Sequence, residues 1–480
     1  MTTQQDLTQL AKLLQARKYH DAYNMLMRIS QVPINNMPLV YEIAQCLYVL
    51  KKDGELLTML EQVHKLVPND PNIYMLHSML AMRENKENIK KAIKYLRKVL
   101  ELDSNNATAY YNLGLIFQKK QKYSIAKKMF EKSIEKLPQQ GQSYSALGFI
   151  AKIQGEHDKE KKYYLQALEQ DPNLPSAHAN LGMHYLRKGE YEKAWPEYEW
   201  RLKTEGLRDI AIKYKKPCWQ GESLAGKTLI IFAEQGFGDA IQFVRYIPLI
   251  DKQGGKIIFE VKAELIKLFQ NVANIDEILL RDSVLPDYDY YFPLLSLPKI
   301  FETNANNIPC SIPYLKTNPA KRAYWHDYFE SYANNLKVGI VWSGSAKHAN
   351  DYYRSIAPSY FSQLNKIKNI KLFSLQKEAT PETCAQYGFI SLGQEFQDFS
   401  DTAACIAELD LVIAVDTAII HLAGALNIPA WVLISFTHDW RWLEKRTDSP
   451  WYPSLKIYRQ KKLGNWKPVF ASIQKDLKKL

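Results

Sequence analysis

The strongest constraint on this chain is a register that repeats every 34 residues: Leu113-Gly114, Leu147-Gly148 and Leu181-Gly182 recur at that step. Around them recur Tyr110, Tyr144 and His178, then Tyr123, His157 and Tyr191, then Phe130, Tyr164 and Tyr198. Ala126 and Ala194 hold a second small position, where Glu160 breaks the pattern, and Pro138 and Pro172 close two of the units. A unit of this kind reads as two helices joined by a turn. The small residues let one helix approach the other, the aromatics fill the space between them, and proline ends the second helix. One such unit cannot bury its apolar face alone, so neighbouring units must stack.

This is the tetratricopeptide pattern. Followed backward, the register covers 73–106, with Ala92 and Leu96 in place and Leu80 where glycine belongs. After a two-residue slip it covers 37–70, with Ala44 and Pro68, and a degenerate unit over 3–36 keeps Tyr19, Ala22 and Leu26. About six units are expected over 1–206, the first atypical as an end cap would be. An array of this kind forms a concave groove for an extended peptide or a helix. It serves equally as a spacer or a dimerisation surface, so a homo-oligomer stays open.

At 480 residues the chain is long enough for about three domains. Its formal charge of +12 invites a nucleic-acid partner. The basic residues come as short pairs such as Lys51-Lys52 and Lys127-Lys128, interleaved with acids, and no nucleic-acid-binding motif accompanies them. No nucleic-acid partner is therefore expected. Cys46, Cys218, Cys310, Cys384 and Cys405 are odd in number, widely spaced and without a C-x-x-C pair, which suits a reducing compartment. The first residues lack the basic start and apolar run of a signal peptide, so a cytoplasmic protein is expected. The stretch 417–436 has the apolar length of a membrane span, but Asn427-Ile428-Pro429 interrupts it. A short helix followed by a buried strand explains it better, and no integral membrane segment is expected.

Beyond the repeats, strand-like and helix-like segments alternate. LIIF (229–232), KIIFEV (256–261), EILL (277–280) and YDYYF (288–292) read as strands of one doubly wound, Rossmann-like domain over 207–335. A long polar helix near 319–334 leads to a second such domain over 336–480. Its strands are expected at KVGIV, KLFSL (371–375), LVIAV (411–415), AWVLIS (430–435) and KIYR (456–459). A helix over 263–272 is expected between two of the earlier strands, and the last helix, 471–480, is expected to cross back to the first of these domains. The fold class is thus an α-solenoid followed by two α/β domains with a cleft between them.

Two loops carry the chemistry. Asp416-Thr417 follows strand LVIAV and opens a helix whose free N–H groups and positive dipole end suit a diphosphate. Asp416 and Thr417 can cap that helix, and His421 lies one turn in; a capped core helix with a satisfied histidine is the alternative. The second loop runs Glu234-Gln235-Gly236-Phe237-Gly238-Asp239. A dinucleotide fingerprint fails there because Ile241 stands at its third glycine. Asp239, at the helix start, would repel a phosphate, so Gln235, Gly236 and Gly238 read as an acceptor-side loop. Glu234 stands at the strand end, and Asp239 as a plain helix cap remains open. Trp440 and Arg441, with Trp442, either clamp a base or sugar or simply cover the sheet, and Arg354 has similar standing. Asp287-Tyr288-Asp289 lacks further ligands, so no metal is expected.

The runs AEQGFGDAIQFVRY, VGIVWSGS, SLQKE, DFSDTAACIAELDLVIAVDTAIIHLAGAL and DWRWLEKRTDSPWYP resemble, in order over 210–465, the repeat-fused bacterial glycosyltransferases related to lipopolysaccharide heptosyltransferases. That resemblance implies a GT-B fold with the donor in the C-terminal domain. It places Asp416, Thr417 and His421 on the donor-diphosphate motif, Lys377 against donor phosphate, and Ser343 and Gly344 in a loop the donor approaches closely. It matches Asp239 to the aspartate that serves as base, with Glu234 as the second candidate. The implied activity is metal-independent, inverting transfer of a sugar from a nucleotide-diphosphate-sugar to a hydroxyl, with the nucleotide-sugar as co-substrate and no cofactor. The acceptor would be a protein or glycan recruited by the repeats. An inactive tetratricopeptide scaffold for protein–protein contacts is the rival reading.

Overall fold

The computed structural model describes residues 4–16, 18–28, 36–83, 88–345 and 351–480. It forms two compact units, Met1–Leu174 and Pro175–Leu480.

The first unit is helical throughout its described residues, in pairs: Gln4–Gln15 with Tyr19–Leu26, Met37–Val49 with Asp53–Leu66, Pro71–Arg83 with Asn88–Leu102, Ala107–Lys119 with Tyr123–Lys136, and Gly141–Gln154 with His157–Gln170. The repeat positions explain the pairing. A Cβ on Gly114 would lie 2.4 Å from the Phe130 ring, and one on Gly148 would lie 2.5 Å from the Tyr164 ring. Glycine thus seats a buried aromatic from the second helix against the backbone of the first. Ala92 and Ala126 are wholly buried at the second small position. Glu160, the exception there, is buried beside His157, whose Nδ1 lies 3.3 Å from its carboxylate.

The second unit opens with the sixth helical pair, Pro175–Lys188 and Tyr191–Tyr198, followed by two parallel sheets. The first sheet comprises β1 (Thr228–Phe232), β2 (Lys256–Val261), β3 (Glu277–Leu280) and β4 (Tyr290–Pro293), in the order β3-β2-β1-β4. The second comprises β5 (Leu336–Val341), β6 (Ile370–Ser374), β7 (Ile390–Ser391), β8 (Leu411–Val415), β9 (Ala430–Ile434) and β10 (Leu455–Arg459), in the order β10-β9-β8-β5-β6-β7. Every residue of β8 and β9 is buried, as expected for the apolar core strands of a parallel sheet. In the second sheet the chain moves outward from β5 through β6 to β7, then returns to the other side of β5 as β8. In open α/β sheets such a reversal is where a ligand crevice forms, here at the carboxyl ends of β5 and β8. The first sheet has the corresponding reversal between β1 and β4.

The apolar stretch 417–436 resolves into the helix Ala418–Ala425, a left-handed Asn427 (φ 61°), and β9. Among the described residues no helix is long and apolar enough to cross a membrane. Three segments differ from expectation. The helix expected over 263–272 is a 3-10 turn, Ala263–Leu265, followed by one α-turn, Ile266–Phe269. β7 is a two-residue edge strand, too short for any periodicity. The final helix, Lys467–Leu477, does not cross back: its Phe470 and Ile473 join Phe361 in the core under the six-stranded sheet.

Candidate functional site

Two helices start at the carboxyl ends of the central strands, one from each sheet, and their first turns touch. The helix Phe237–Phe243 follows β1, and the helix Ala418–Ala425 follows β8. The approach depends on Gly238: a Cβ there would lie 2.8 Å from His421 Cδ2 and 3.4 Å from the Ala418 Cα. The positive dipole ends of both helices therefore open onto one place.

On the β8 side, Thr417 occupies the N-cap position, but its side chain caps nothing; the hydroxyl is buried without a partner. The expected capping role of Thr417 is thus not met, because its Oγ1 does not reach a helix N–H. Asp416 precedes it, and its backbone carbonyl accepts a hydrogen bond from Arg354 Nη1 at 2.8 Å. Burial, with Asp439 nearby, raises the Asp416 carboxyl to about 6. Arg354 also lies over Gly344, where a Cβ would come 2.1 Å from its guanidinium. Ser343 N–H donates to Gln376 Oε1 at 3.2 Å, which ties the loop after β5 to the end of β6. The structure thus brings Ser343, Gly344, Arg354, Asp416, Thr417 and His421 together at the carboxyl ends of β5 and β8. Lys377 is exposed in the turn after β6.

On the β1 side, Asp239 Oδ2 accepts from Gly236 N–H at 2.8 Å, the capping geometry of a third helical residue. Its other oxygen binds the Arg441 guanidinium. Arg441 also binds Asp439 at 2.9 Å and the side chain of Gln242. This buried cation thus joins the loop after β9 to the helix after β1, and its neighbouring carboxylates hold it firmly protonated. Asp239 is therefore both helix cap and ion-pair partner. Gln235 donates to the Tyr198 hydroxyl at 3.3 Å, so the last helical pair borders the loop before this helix.

Two expectations are corrected. Glu234 is no free base: its side chain is fully buried, held by Arg201 Nη2 at 2.7 Å and by Leu295 N–H at 3.2 Å. Burial raises its carboxyl pKa despite that partner. Trp440 is not an open clamp either. It is buried edge-on against Trp195, Tyr198 and Trp451, with ring centroids 5.9 to 6.2 Å apart. Of the D-x-D acids, Asp289 accepts from Thr228 N–H at 2.8 Å and from Lys227 at 3.0 Å, while Asp287 is fully exposed.

The sequence reading missed Arg201, Arg245, Tyr314 and Tyr452. Arg245 had a visible signal, a lone charge inside the apolar run FVRYIPLI. It is buried there, donating to the carbonyls of Gln242, Pro309 and Trp451. The tyrosines had no such signal.

Models of the TPR repeat and the tetratricopeptide repeat match residues 85–121, 141–174 and 163–195. The chain therefore carries tetratricopeptide repeats, modules that build binding surfaces for other proteins. Protein FlbA of Caulobacter vibrioides is 26% identical over 315 residues, which cover 59% of this chain and 52% of that protein. The chain thus spans about half the length of this curated relative. Among solved structures, MamA of Desulfovibrio magneticus is 23% identical, with 36% of this chain and 95% of that one covered at a TM-score of 0.28. A thermophilic TPR protein of Thermus thermophilus is 19% identical, with 36% of this chain and 95% of that one covered at a TM-score of 0.32.

Proposed function

We propose that the second unit is a glycosyltransferase of GT-B type, with Rossmann-like domains over 207–335 and 336–480, and that the repeats recruit its acceptor. The observation that carries this reading is the meeting of two helix N-termini at Gly238 and His421, one from each sheet. Free N–H groups of the helix opening at Ala418 suit a nucleotide-sugar's diphosphate, and Arg354 and Lys377 add positive charge on that side. Ser343 and Gly344 border the same crevice. A sugar hydroxyl or protein hydroxyl entering past Gln235 and Gly236 would attack the anomeric carbon. The bond to the diphosphate would break with its electron pair, and Asp239 would take the hydroxyl's proton. A single displacement of this kind inverts the anomeric centre.

A second reading has its own support: Arg441 occupies one oxygen of Asp239 and Gly236 N–H the other, as in a purely structural cap. On that reading the α/β body is an inactive partner of a protein-binding scaffold.

A panel of nucleoside diphosphates, followed by thermal melting, tests the donor site. A binder at a hundred times its Kd should stabilise the protein by about 2.7 kcal/mol, and Asp416→Ala and Lys377→Ala should each weaken the effect. Unchanged melting across the panel would count against any donor site. Asp239→Asn keeps the cap and the shape, so nucleotide binding should persist while transfer falls roughly 10²- to 10⁴-fold. Undiminished transfer in that variant removes Asp239 as base.

A further inference from the structure

We propose that the second helices of the third and fourth pairs, Asn88–Leu102 and Tyr123–Lys136, carry a docking surface for an acidic protein segment, centred on Lys94 and Lys128. Helix Asn88–Leu102 holds Lys90, Lys91, Lys94, Arg97 and Lys98 against one acid, Glu101. Lys128 and Lys132 follow Lys94 and Lys98 by 34 residues, so the repeat register puts them at the equivalent points of the next pair. The two helices share one core, in which Ala92, Leu96 and Val99 cluster with Leu113, Ile116 and Met129. Lys90, Lys91, Lys94, Arg97, Lys128 and Lys132 are all exposed. Among the described residues none of them pairs with an acid; the acids nearby are taken by Lys98, Lys127 and Lys136.

These charges are placed against what the helices themselves need. A helix gains from acids in its first turn and bases in its last, and loses where like charges stand at i and i+4. The flanking second helices follow that rule. Asp53–Leu66 opens with Asp53 and Glu55 and ends with His64 and Lys65, and His157–Gln170 opens with Asp158 and Glu160. Asn88–Leu102 reverses it, with no acid in its first turn and no base in its last, and Tyr123–Lys136 also opens without an acid. Lys90 and Lys94, Lys94 and Lys98, and Lys128 and Lys132 are like charges at i,i+4. Helix stability therefore does not account for the pattern, and a solvated face has no reason to exclude acids. A complementary anion accounts for both.

The acids set the width of the surface. Glu101, Glu131 and Glu135 all lie C-terminal to Lys94 and Lys128 on their helices. A planar anionic membrane would cover both halves of each helix and meet those acids as well as the lysines. A single segment crossing the two helices at Lys94 and Lys128 would not. A nucleic-acid strand would need rings on which its bases could stack. The aromatics here are already engaged: Tyr95 stacks on His77 with centroids 5.1 Å apart, and Lys132 lies over Tyr110 at 5.5 Å. The chemistry that remains is a run of carboxylates on a polypeptide. This surface stands whether or not the α/β body transfers sugar.

The test uses the full chain and a fluorescein-labelled oligoglutamate peptide, read by fluorescence anisotropy at low ionic strength, where such attraction is least screened. Lys94→Glu with Lys128→Glu should raise the Kd at least about tenfold. Lys366→Glu with Lys368→Glu, at exposed positions of the second unit, changes the net charge equally and should alter the Kd less than about twofold. If the first variant does not fold, Lys94→Ala with Lys128→Ala serves; its loss should be smaller but still exceed that of the control. Vesicles of phosphatidylserine and phosphatidylcholine, and a single-stranded oligonucleotide, are titrated in parallel. No binding of the peptide, or equal loss in the patch and control variants, overturns the proposal. So does tighter binding of vesicles or oligonucleotide than of peptide, where that binding is the one lost in the patch variant.

Discussion

Asp416 shows how the burial of a single carboxyl ties stability to pH. Its carboxyl is raised from its ordinary value near 3.8 to about 6, by burial and by Asp439. Between these values the folded chain holds a proton that the unfolded chain has released. Stability should therefore fall as pH rises from about 4 to about 6, and remain reduced above that. Asp416→Asn removes the charge that the site keeps under strain. It should melt higher than the unmodified protein at pH 7.5, and the two should converge below pH 4. Melting curves across that range decide the matter; a variant less stable at pH 7.5 would show that the carboxylate is held by favourable contacts. If the proposed donor site is there, the same substitution should weaken nucleotide binding, the usual cost of relieving strain at such a position. Asp416 was legible from its place after a buried strand. Its closeness to Asp439 was not, because the 22 residues between them in sequence say nothing of proximity.

Elements with a period were the legible ones. The 34-residue register named Gly114, Gly148 and Gly182 as close-packing positions, and continuous apolar runs named β2, β3 and β8 to the residue. Elements held by non-local contacts were not. The buried Glu234 reads as a catalytic carboxylate in sequence, because nothing nearby announces that Arg201, 33 residues upstream, neutralises it. Trp440 stays open between a clamp and a cover for the sheet for the same reason. The three glycines, alike in sequence, also differ in what they face. At Gly114 and Gly148 a Cβ meets an aromatic ring, but at Gly182 it would lie 2.6 Å from the backbone nitrogen of Tyr198. A ring can tilt, whereas a helix must be pushed away as a whole. Gly148→Ala should therefore cost about 1–3 kcal/mol, and Gly182→Ala more, with a loss of ordered structure around Tyr198. Urea unfolding of both variants checks the order. Equal costs would mean that the sixth helical pair has slack that its packing does not suggest.

At the scale of the molecule, the second compact unit begins at Pro175, so one helical pair of the repeat register belongs with the sheets. Its contacts there are specific. Trp195 Nε1 donates to the Thr303 carbonyl at 2.7 Å, and Trp195 and Tyr198 cover Trp440, the neighbour of Arg441. Arg187 and Lys188 pair with Glu444. Arg201 binds Glu234, Glu199 and Ser296 together, at 2.7, 2.6 and 2.8 Å. A chain beginning at Pro175 keeps all of these groups and should unfold cooperatively near the melting temperature of its own α/β body. A chain beginning at 205 loses them. It leaves Glu234 buried without its cation, a change that typically costs about 3–5 kcal/mol, and it bares the Trp440 ring. That chain should be aggregation-prone, and pairing the truncation with Glu234→Gln should recover part of the loss by removing the orphaned charge. Circular dichroism melts and light scattering on the three chains provide the comparison. If the shorter chain proves as stable as the longer one, the sixth pair is an appendage, and its contacts with Trp440 and Glu234 do not support the α/β body.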